Sequence, residues 1–201
     1  MNEQDILENR NWLEVWHHYY DPELKLEPND PNAICISSVD ASGMPNGRYV
    51  LLKDVSEKGF LFYTNLKSQK GKELFEAGKG ALTWWSRAQN KSVRAQGSIE
   101  QVSDDIADTY WASRKEDAKI SAILSKQSDE VASREQLEEE FAKLKAEYAG
   151  KDIPRPKHWS GVIICPQKIE FWEATSAYTS RLHNRFVFEL NNNQWITKRL
   201  Y

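Results

Sequence analysis

The chain has 201 residues, of which 40% are hydrophobic, 28% charged and 11% aromatic. This composition is typical of a folded globular protein and argues against a disordered, fibrous or membrane-spanning chain. The formal net charge of -3 does not favour binding to nucleic acid or to anionic membranes, so neither partner is predicted. No apolar run reaches the ~18 residues of a membrane span. The N-terminus lacks the apolar segment of a signal peptide, so a cytoplasmic location is expected.

The first 31 residues predict a helix followed by a linker, and the main domain is placed at residues 32–201. Apolar side chains recur at three- and four-residue intervals between residues 3 and 20, which is the period of a helix. Asp21-Pro22 ends this helix, and further prolines mark the linker.

The cysteines and histidines of the chain do not predict a metal site. Cys35 and Cys165 lie far apart, each in an apolar run typical of a strand. The adjacent His17 and His18 project in different directions on a helix and have no third ligand at useful spacing. We therefore predict two buried, reduced thiols and no metal.

A β-forming run from Asn32 to Asp40 is followed by a turn rich in Gly, Pro and Asn. The stretch from Arg48 to Asn65 then predicts a β-hairpin, with two β-forming runs joined by a polar connection that ends at Lys58-Gly59. Such short connections favour antiparallel strands. The sequence has neither the Gly-rich dinucleotide loop nor the Walker loop, so we predict a mainly β protein with helices, of the α+β class.

Arg48 and Lys53 stand at the two ends of the first apolar run of the hairpin. Because side chains alternate between the faces of a strand, residues five apart point to opposite sides and lie roughly 16 Å apart at ~3.3 Å per residue. We therefore predict that these two cations bind different groups of a ligand rather than one phosphate.

A helix is predicted from Leu66 to Gly78, capped at Asn65 or Ser68. Its first turns are crowded by cations: Lys67, Lys70 and Lys72. The helix dipole disfavours cations there by up to about 1 kcal/mol. Lysines placed there at random are one explanation of this charge. A phosphate bound at the helix N-terminus is the better one, because exposed N–H groups and cations would then act together.

Two further strands are predicted at residues 81–86 and 92–102, with a basic turn between them. Aromatic and basic side chains that could form a nucleic-acid platform gather here: Trp84, Trp85, Arg87, Lys91 and Arg94. The negative net charge favours the alternative, a barrel core with a solvated turn.

A helix capped at Ser103 is predicted to continue to about Arg114. Tyr110 and Arg114 are four residues apart and share one face of this helix, and Ala118 continues that face if the helix persists. Such a pair is most often an exposed cation resting on an aromatic ring. It is also suited to clamp a phosphate.

The last third of the chain predicts one helix and four antiparallel strands. The helix runs from Ser133 to Ala149 and has a buried apolar stripe, and the strands are residues 160–165, 168–174, 182–190 and 194–200. Arg181, His183 and Arg185 alternate along the third of these strands, which places them on one face. A solvent-facing edge and a site for an anionic substrate explain this pattern about equally well.

Five motifs, in this order, resemble those of the pyridoxamine 5'-phosphate oxidase family, whose members are FMN-dependent split-barrel enzymes of vitamin B6 metabolism. They are Arg48-Tyr-Val-Leu-Leu-Lys53, Phe62-Tyr-Thr-Asn65, Ser125-Lys-Gln-Ser128, Ile169-Glu-Phe-Trp172 and Arg181-Leu-His-Asn-Arg185. The resemblance runs from about Asn32 to the C-terminus. It implies an antiparallel FMN-binding split β-barrel with flanking helices and C-terminal dimerisation strands.

The resemblance implies a homodimer that binds FMN and a phosphorylated B6 vitamer at the subunit interface. It assigns to the cofactor Arg48, Tyr49, Val50, Leu51, Leu52, Lys53, Tyr63, Thr64, Lys70, Gln127, Ser128, Trp172 and Arg185. It assigns to the substrate Lys53, Tyr110, Arg114, Arg181 and His183, of which Arg181 and His183 are also the implied catalytic residues. The implied reaction oxidises pyridoxamine or pyridoxine 5'-phosphate to pyridoxal 5'-phosphate and gives hydrogen peroxide.

The chain departs from the family pattern at several of these places. Gln69 stands where the family has an arginine, Ser92 where a flavin-contacting glutamine is usual, and Ala118 where a serine helps to hold the substrate phosphate. The segment between Trp172 and Arg181 is longer than usual. These departures leave two alternatives open: an FMN enzyme with another substrate, and a non-catalytic protein that binds FMN or pyridoxal phosphate.

Overall fold

A computed structural model describes residues 1–175 and 182–201, which contain eight strands and seven helices. The strands are β1 (Ala33–Val39), β2 (Pro45–Ser56), β3 (Gly59–Asn65), β4 (Lys79–Ser86), β5 (Lys91–Gln101), β6 (Trp159–Glu173), β7 (Asn184–Asn191) and β8 (Gln194–Arg199). The helices are α1 (Glu3–Glu8), α2 (Trp12–Tyr20), α3 (Glu23–Leu26), α4 (Gln69–Ala77), α5 (Asp104–Ala112), α6 (Glu116–Leu124) and α7 (Arg134–Tyr148).

The strands form a single antiparallel sheet in the order β3-β2-β1-β4-β5-β6-β7-β8. An additional pairing between β3 and β6 closes the first six strands into a barrel. The strands β7 and β8 extend the sheet beyond the barrel. The predicted α+β fold, an antiparallel β-barrel with flanking helices, is therefore confirmed.

The barrel core is apolar and rich in aromatic side chains. From β3, Phe60 and Phe62 are fully buried in it. Helix α2 adds Trp16, whose ring meets that of Phe60 at 5.2 Å and that of Trp84 at 5.6 Å. The N-terminal segment 1–31 thus packs into the core of the 32–201 domain, and the boundary between the two stays a prediction.

The single helix predicted over residues 3–20 is wrong, because it is broken between α1 and α2. The Asn9 backbone N–H ends α1 on the carbonyl of Asp5. The Asn11 side chain accepts a hydrogen bond of 3.1 Å from the Leu13 N–H and so caps α2. The Asn9 side chain also accepts a hydrogen bond of 2.7 Å from the Asn11 N–H. Asparagine side chains compete in this way with the helix backbone, and these two separate the helices.

Other predicted elements change at their ends or in their burial. The strands predicted at residues 160–165 and 168–174 form the one strand β6. The pairing of β5 with β6 shifts register between Gln96 and Gly97, where Gly97 lies opposite Pro166, a residue that offers no N–H. The stripe on α7 is half-buried at Phe141, Leu144 and Tyr148 and exposed at Leu137, since this helix lies on the outside of the fold against α6. Cys35 and Cys165 are likewise half-buried. None of the described helices has the length and apolar character needed to cross a membrane.

Candidate functional site

A cleft opens where β2 and β3 separate. The two strands pair only from Leu52–Phe62 to their connecting turn. On its other edge β3 pairs with β6, and the first half of β2, Pro45 to Leu51, pairs with β1. From Tyr49 to Leu51, the edge of β2 that faces β3 therefore has no strand partner in the described parts of the chain. Its backbone N–H and C=O groups are available to a ligand.

The cleft has a volume of about 530 Å³, and α6 and residues 125–127 close its far side. Most of the predicted cofactor and substrate residues line it: Tyr49, Val50, Leu51, Lys53, Tyr63, Thr64, Lys70, Tyr110, Arg114 and Gln127. Lys53 lies at the point where the β2–β3 register shifts, and alternation along β2 places it on the same face as Tyr49 and Leu51.

One end of the cleft carries a buried cation. Lys70 lies in the first turn of α4 and is 8% exposed. Its ammonium donates to Ser68 Oγ at 3.2 Å and to Gln127 Oε1 at 3.0 Å, and both acceptors are neutral. Burial, followed by the nearby charge of Arg48, lowers the pKa of Lys70 to about 8. A desolvated cation at a helix N-terminus is suited to bind a phosphate.

A second anion-binding group, Arg114, lies in the turn between α5 and α6. Its guanidinium donates from one terminal nitrogen to the Ala118 carbonyl at 3.0 Å and lies 4.9 Å from the ring centre of Trp159. Its Nε is buried and has no hydrogen-bond partner in the described residues. A buried donor left unpaired costs about 1–3 kcal/mol, so this atom indicates a ligand acceptor.

A flat aromatic wall stands beside this cation. The rings of Tyr63 and Tyr110 stack at 3.9 Å and 11°, and those of Tyr63 and Trp159 at 5.1 Å and 13°. Burial, with a smaller contribution from Tyr110, raises the pKa of the Tyr63 hydroxyl. Parallel rings of this kind offer a surface for a planar ligand.

Three of the predicted site residues form a separate cluster on the outer face of the sheet, at β6 and the start of β7. The rings of Trp172 and His183 lie 4.9 Å apart. Arg185 donates from Nε to the buried Glu170 carboxylate at 3.0 Å and from a terminal nitrogen to the Tyr201 carbonyl at 2.7 Å. His183 Nδ1 is buried without a partner in the described residues. We call Trp172, His183 and Arg185 the outer cluster.

The cleft and the outer cluster are well separated within one chain. Leu51 pairs with Ala33 on β1, and Ser92 on β5 pairs with Trp172 on β6. The path from β2 to β6 across β1, β4 and β5 is four strand spacings, or about 19 Å along the sheet at ~4.8 Å each. The path through β3 is only two spacings, but β3 pairs with β6 between Trp159 and Ile164, and Trp172 lies eight residues further along β6, or about 26 Å at ~3.3 Å per residue. One planar ring bound in the cleft therefore does not reach Trp172 of the same chain.

Of the predicted site residues that the structure describes, three belong neither to the cleft lining nor to the outer cluster. Arg48 turns its guanidinium to Ser38 Oγ and to Glu73, the latter at 3.3 Å. The side chain of Leu52 is 4% exposed and belongs to the core, which leaves only its backbone for a ligand. Ser128 Oγ accepts the Gln69 N–H at 3.2 Å, beside the N-terminus of α4. Arg181 lies outside the described residues.

Two sequence predictions about these side chains are wrong. Strand β7 begins at Asn184, so His183 precedes the strand instead of lying in it, although its ring lies against Trp172, the strand partner of Arg185. The helix of Tyr110 ends at Ala112, where the Ser113 hydroxyl bonds back to the Tyr110 carbonyl at 2.7 Å. Arg114 therefore lies in a turn, yet it still lines the cleft with Tyr110.

Several cleft residues were not predicted from the sequence: Asn65, Ser121, Ala122, Ser125 and Trp159. Asn65 and Ser125 lie within quoted motifs, and the Asn65 side chain donates to the Ser125 carbonyl at 3.1 Å, which ties β3 to the segment after α6. Ser121 lies three residues after Ala118 on α6, a helix that was not predicted. Trp159 carried no sequence signal beyond its position at the start of a strand.

Comparison with known proteins identifies the family. Residues 20–148 match the family described as pyridoxamine 5'-phosphate oxidase, and residues 159–201 match the pyridoxine 5'-phosphate oxidase C-terminal dimerisation region. The chain belongs to the pyridoxamine 5'-phosphate oxidase family. The resemblance found in the five sequence motifs is thereby confirmed.

Relatives of the pyridoxamine 5'-phosphate oxidase family cover most of the chain. The pyridoxine/pyridoxamine 5'-phosphate oxidase of Brucella anthropi is 47% identical over 177 residues, which are 87% of this chain and 86% of that protein. The enzyme of the same name from Brucella canis is 46% identical over 179 residues, which are 88% of this chain and 87% of that protein.

Solved structures show the same fold. PhzG from Burkholderia lata, crystallised with tetrahydrophenazine-1-carboxylic acid, superposes with a TM-score of 0.91 at 25% identity and covers 100% of this chain and 96% of that one. An FMN-binding protein related to pyridoxamine 5'-phosphate oxidase from Nostoc punctiforme gives a TM-score of 0.75 at 14% identity, with 97% of this chain and 99% of that one covered.

Proposed function

We propose that the protein is an FMN-dependent oxidase that converts pyridoxamine or pyridoxine 5'-phosphate to pyridoxal 5'-phosphate. The observation that carries the proposal is the pair of anion-binding groups in one cleft. Lys70 is a buried cation that bonds only neutral oxygens, and Arg114 has a buried, unpaired Nε. A phosphorylated cofactor and a phosphorylated substrate together supply two such anions. The relatives at 46–47% identity support the same assignment.

The residues of the cleft fit FMN. Lys70 and Gln127 would hold its phosphate at the N-terminus of α4, with the Ser128 hydroxyl close by. The open edge of β2 from Tyr49 to Leu51 would meet the polar edge of the ring with backbone N–H and C=O groups. When bound, FMN supplies the hydride acceptor and the route of electrons to oxygen, which leaves as hydrogen peroxide.

The substrate would be oriented by its phosphate. Lys53, Tyr110 and Arg114 all line the cleft and offer two cations and a phenol. The cation of Arg114 is held in place by the Ala118 carbonyl and by the face of Trp159. Fixing a substrate in this way can contribute roughly 7 kcal/mol or more to lowering a barrier. His183 and Arg181 would lie against the ring and the reacting carbon of the substrate, as the family resemblance implies.

A homodimer would bring the outer cluster to the cleft. Both lie on the same outer face of the sheet, which also carries Tyr49 at 78% exposure and Trp85 at 52%. Two copies that pair this face about a two-fold axis would place the outer cluster of one against the cleft of the other. The proposed site is therefore composite, and the protein is proposed to act as a cytoplasmic homodimer.

The proposal is tested with purified protein and added FMN. We expect FMN fluorescence to be quenched on binding, the flavin absorbance to bleach when pyridoxamine 5'-phosphate is added without oxygen, and hydrogen peroxide to appear when air is admitted. Failure to bind FMN would contradict the proposal. Binding without bleaching by any amine would favour a non-catalytic binding protein.

A second candidate is an FMN enzyme with another substrate. Ala118, which lines the cleft, lacks the hydroxyl that the family resemblance places beside the substrate phosphate, and the structurally similar PhzG binds a tetrahydrophenazine carboxylic acid. Bleaching rates with phosphorylated and unphosphorylated amines, and with a cyclic carboxylic acid of that kind, separate the two candidates. A clear preference for the phosphorylated amines supports the first.

Ser121 offers a replacement for the hydroxyl that Ala118 lacks. The two residues are three apart on α6, hence on one helix face, and both line the cleft. We expect Ser121→Ala to weaken pyridoxamine 5'-phosphate binding about three- to tenfold, the contribution of one hydrogen bond. The double variant Ala118→Ser/Ser121→Ala should recover most of this loss. Titration with unphosphorylated pyridoxamine is the control, and an equal loss there would contradict the assignment.

A further inference from the structure

A row of four side chains crosses the outer face of the sheet. Trp85 on β4 is the strand partner of Ser92 on β5. Ser92 is in turn the partner of Trp172 on β6, which is the partner of Arg185 on β7. Side chains directly opposite each other in paired strands lie on one face. We call these four residues the outer row, and its last two members belong to the outer cluster.

The two indoles of the outer row lean towards each other over Ser92. Trp85 and Trp172 lie on strands that are two spacings apart, or about 9.6 Å at ~4.8 Å each. Their ring centres are only 5.9 Å apart, with an angle of 38° between the rings. Ser92 is half-buried beneath them. The space above this short side chain is therefore filled by the two rings.

Trp85 remains open to a ligand although it contacts Trp172. It is 52% exposed, which is unusual for so large an aromatic side chain. Its indole offers an apolar ring and one N–H donor. Because the ring leans along the outer row, it lies beside Trp172 and in line with Arg185 rather than apart from them. This orientation favours a contact with whatever those two residues bind.

We propose that Trp85 is a further residue of the composite site and contacts the flavin ring together with Trp172. The assignment of the ligand as FMN rests on the proposed function, as does the homodimer that brings the outer face of one subunit to the cleft of the other. Trp85 supplies an apolar surface and an N–H donor to the ring. It does so over Ser92, where the family resemblance implies a longer, flavin-contacting side chain.

The test measures the affinity of the protein for FMN and for riboflavin by titration of flavin fluorescence. Riboflavin has the same ring and no phosphate, so the loss of a ring contact weakens the binding of both probes by the same factor. We expect Trp85→Ala to weaken both about ten- to thirtyfold. Trp85→Phe keeps an aromatic ring but lacks the N–H, and should weaken both about three- to tenfold.

Two control variants accompany this titration. Ile196→Ala shortens an apolar side chain of β8 that is 40% exposed, and it should bind both flavins as the wild type does. Lys70→Met removes a cation that we assign to the phosphate, so it should weaken the binding of FMN far more than that of riboflavin. The ratio of the two losses therefore separates a ring contact from a phosphate contact.

A second comparison tests whether Trp85 occupies the space above Ser92. In Trp85→Ala that space is open, so adding Ser92→Gln should recover affinity for both flavins about threefold or more, through the amide of the new side chain. In the wild type the space is filled, so Ser92→Gln alone should give no gain. Such a non-additive result is expected for two side chains that compete for one place.

Three results would overturn the proposal. The first is a Trp85→Ala variant that binds both flavins as the wild type does. The second is a gain from Ser92→Gln that is equal with and without Trp85. The third is a Trp85→Ala variant that loses flavin because it sediments as a monomer while Trp85→Phe, still dimeric, binds normally, which would make Trp85 a subunit contact alone. If the wild type binds neither flavin, it is the proposed function that fails.

Discussion

Replacing Lys70 by methionine is expected to weaken FMN binding about ten- to a hundredfold, because one charge-assisted contact with the phosphate is lost. Lys70 is the cation of α4 that lines the cleft, and its own contacts are to neutral oxygens only. Titration of FMN fluorescence measures the loss. Lys72→Met, an exposed lysine on the same helix, is the matched control and should bind FMN as the wild type does.

The same substitution should stabilise the ligand-free protein. The pKa of Lys70 is about 8 in the folded chain, below the ordinary value of 10.5. Below pH 8 both the folded and the unfolded chain carry the proton, so the full cost of the buried charge is present. Between pH 8 and 10.5 the unfolded chain binds more protons, so wild-type stability rises with pH in this window.

Methionine removes this cost, so Lys70→Met should raise the free energy of unfolding by on the order of 1–3 kcal/mol below pH 8. The gain should shrink towards pH 10.5. Thermal unfolding of the ligand-free protein across this range measures it. A variant that is less stable than the wild type at pH 7 would show that Lys70 is a structural cation rather than a binding one.

In the wild type, FMN affinity should fall as pH rises through about 8. The phosphate favours the charged form of Lys70, so binding in this range takes up a proton. Binding measured in buffers of different ionisation enthalpy reports that uptake. The pH dependence should disappear in Lys70→Met, which separates the effect of Lys70 from the titration of other groups.

The parts of the fold that the sequence predicted well are those determined locally. Strands β1 to β5 are bounded by turns rich in Gly, Pro and Asn, and Ser68 caps α4 as its position implies, accepting the Gly71 N–H at 3.3 Å. Most of the cleft residues lie within the five motifs, and each motif is a short continuous segment whose conformation is determined locally. The motif Arg48–Lys53 is a single strand whose free edge forms one wall of the cleft.

The parts that the sequence did not predict depend on contacts between distant segments. Glu73 owes its burial to Ser38, 35 residues away, and Trp159 enters the cleft because β6 pairs with β3. Helix α6 has no side-chain hydrogen bond at its N-cap, Lys115, and most of its apolar residues are only half-buried. The sequence pattern of α6 is therefore too weak to predict a helix, and Ser121 was not predicted to line the cleft.

The orientation of Arg48 shows the same limit in one side chain. Alternation along β2 correctly separates it from Lys53, which lines the cleft. The sequence could not show that a carboxylate from α4 would meet Arg48 on its own side of the strand. The choice between a free and a paired cation is made by the packing of α4 against β1 and β2.

A mixed dimer should recover activity that neither parent variant has. Arg114→Ala damages the cleft, and His183→Ala damages the outer cluster, so each homodimer is expected to be nearly inactive. In the mixed dimer one composite site carries both changes and the other carries none. Its activity should therefore approach about half that of the wild type, as two-fold symmetry requires.

The matched control is a mixed dimer of Arg114→Ala with Lys70→Met, in which both changes lie in the cleft. Each of its two sites then contains one damaged cleft, so no recovery is expected at an FMN concentration that saturates only the wild type. Dimers carrying two different affinity tags isolate the mixed species for both measurements. If the cleft and the outer cluster acted within one chain, the Arg114→Ala and His183→Ala dimer would also show no recovery, because every chain in it would be damaged. Recovery in one mixed dimer and not in the other would show that the site is shared between subunits.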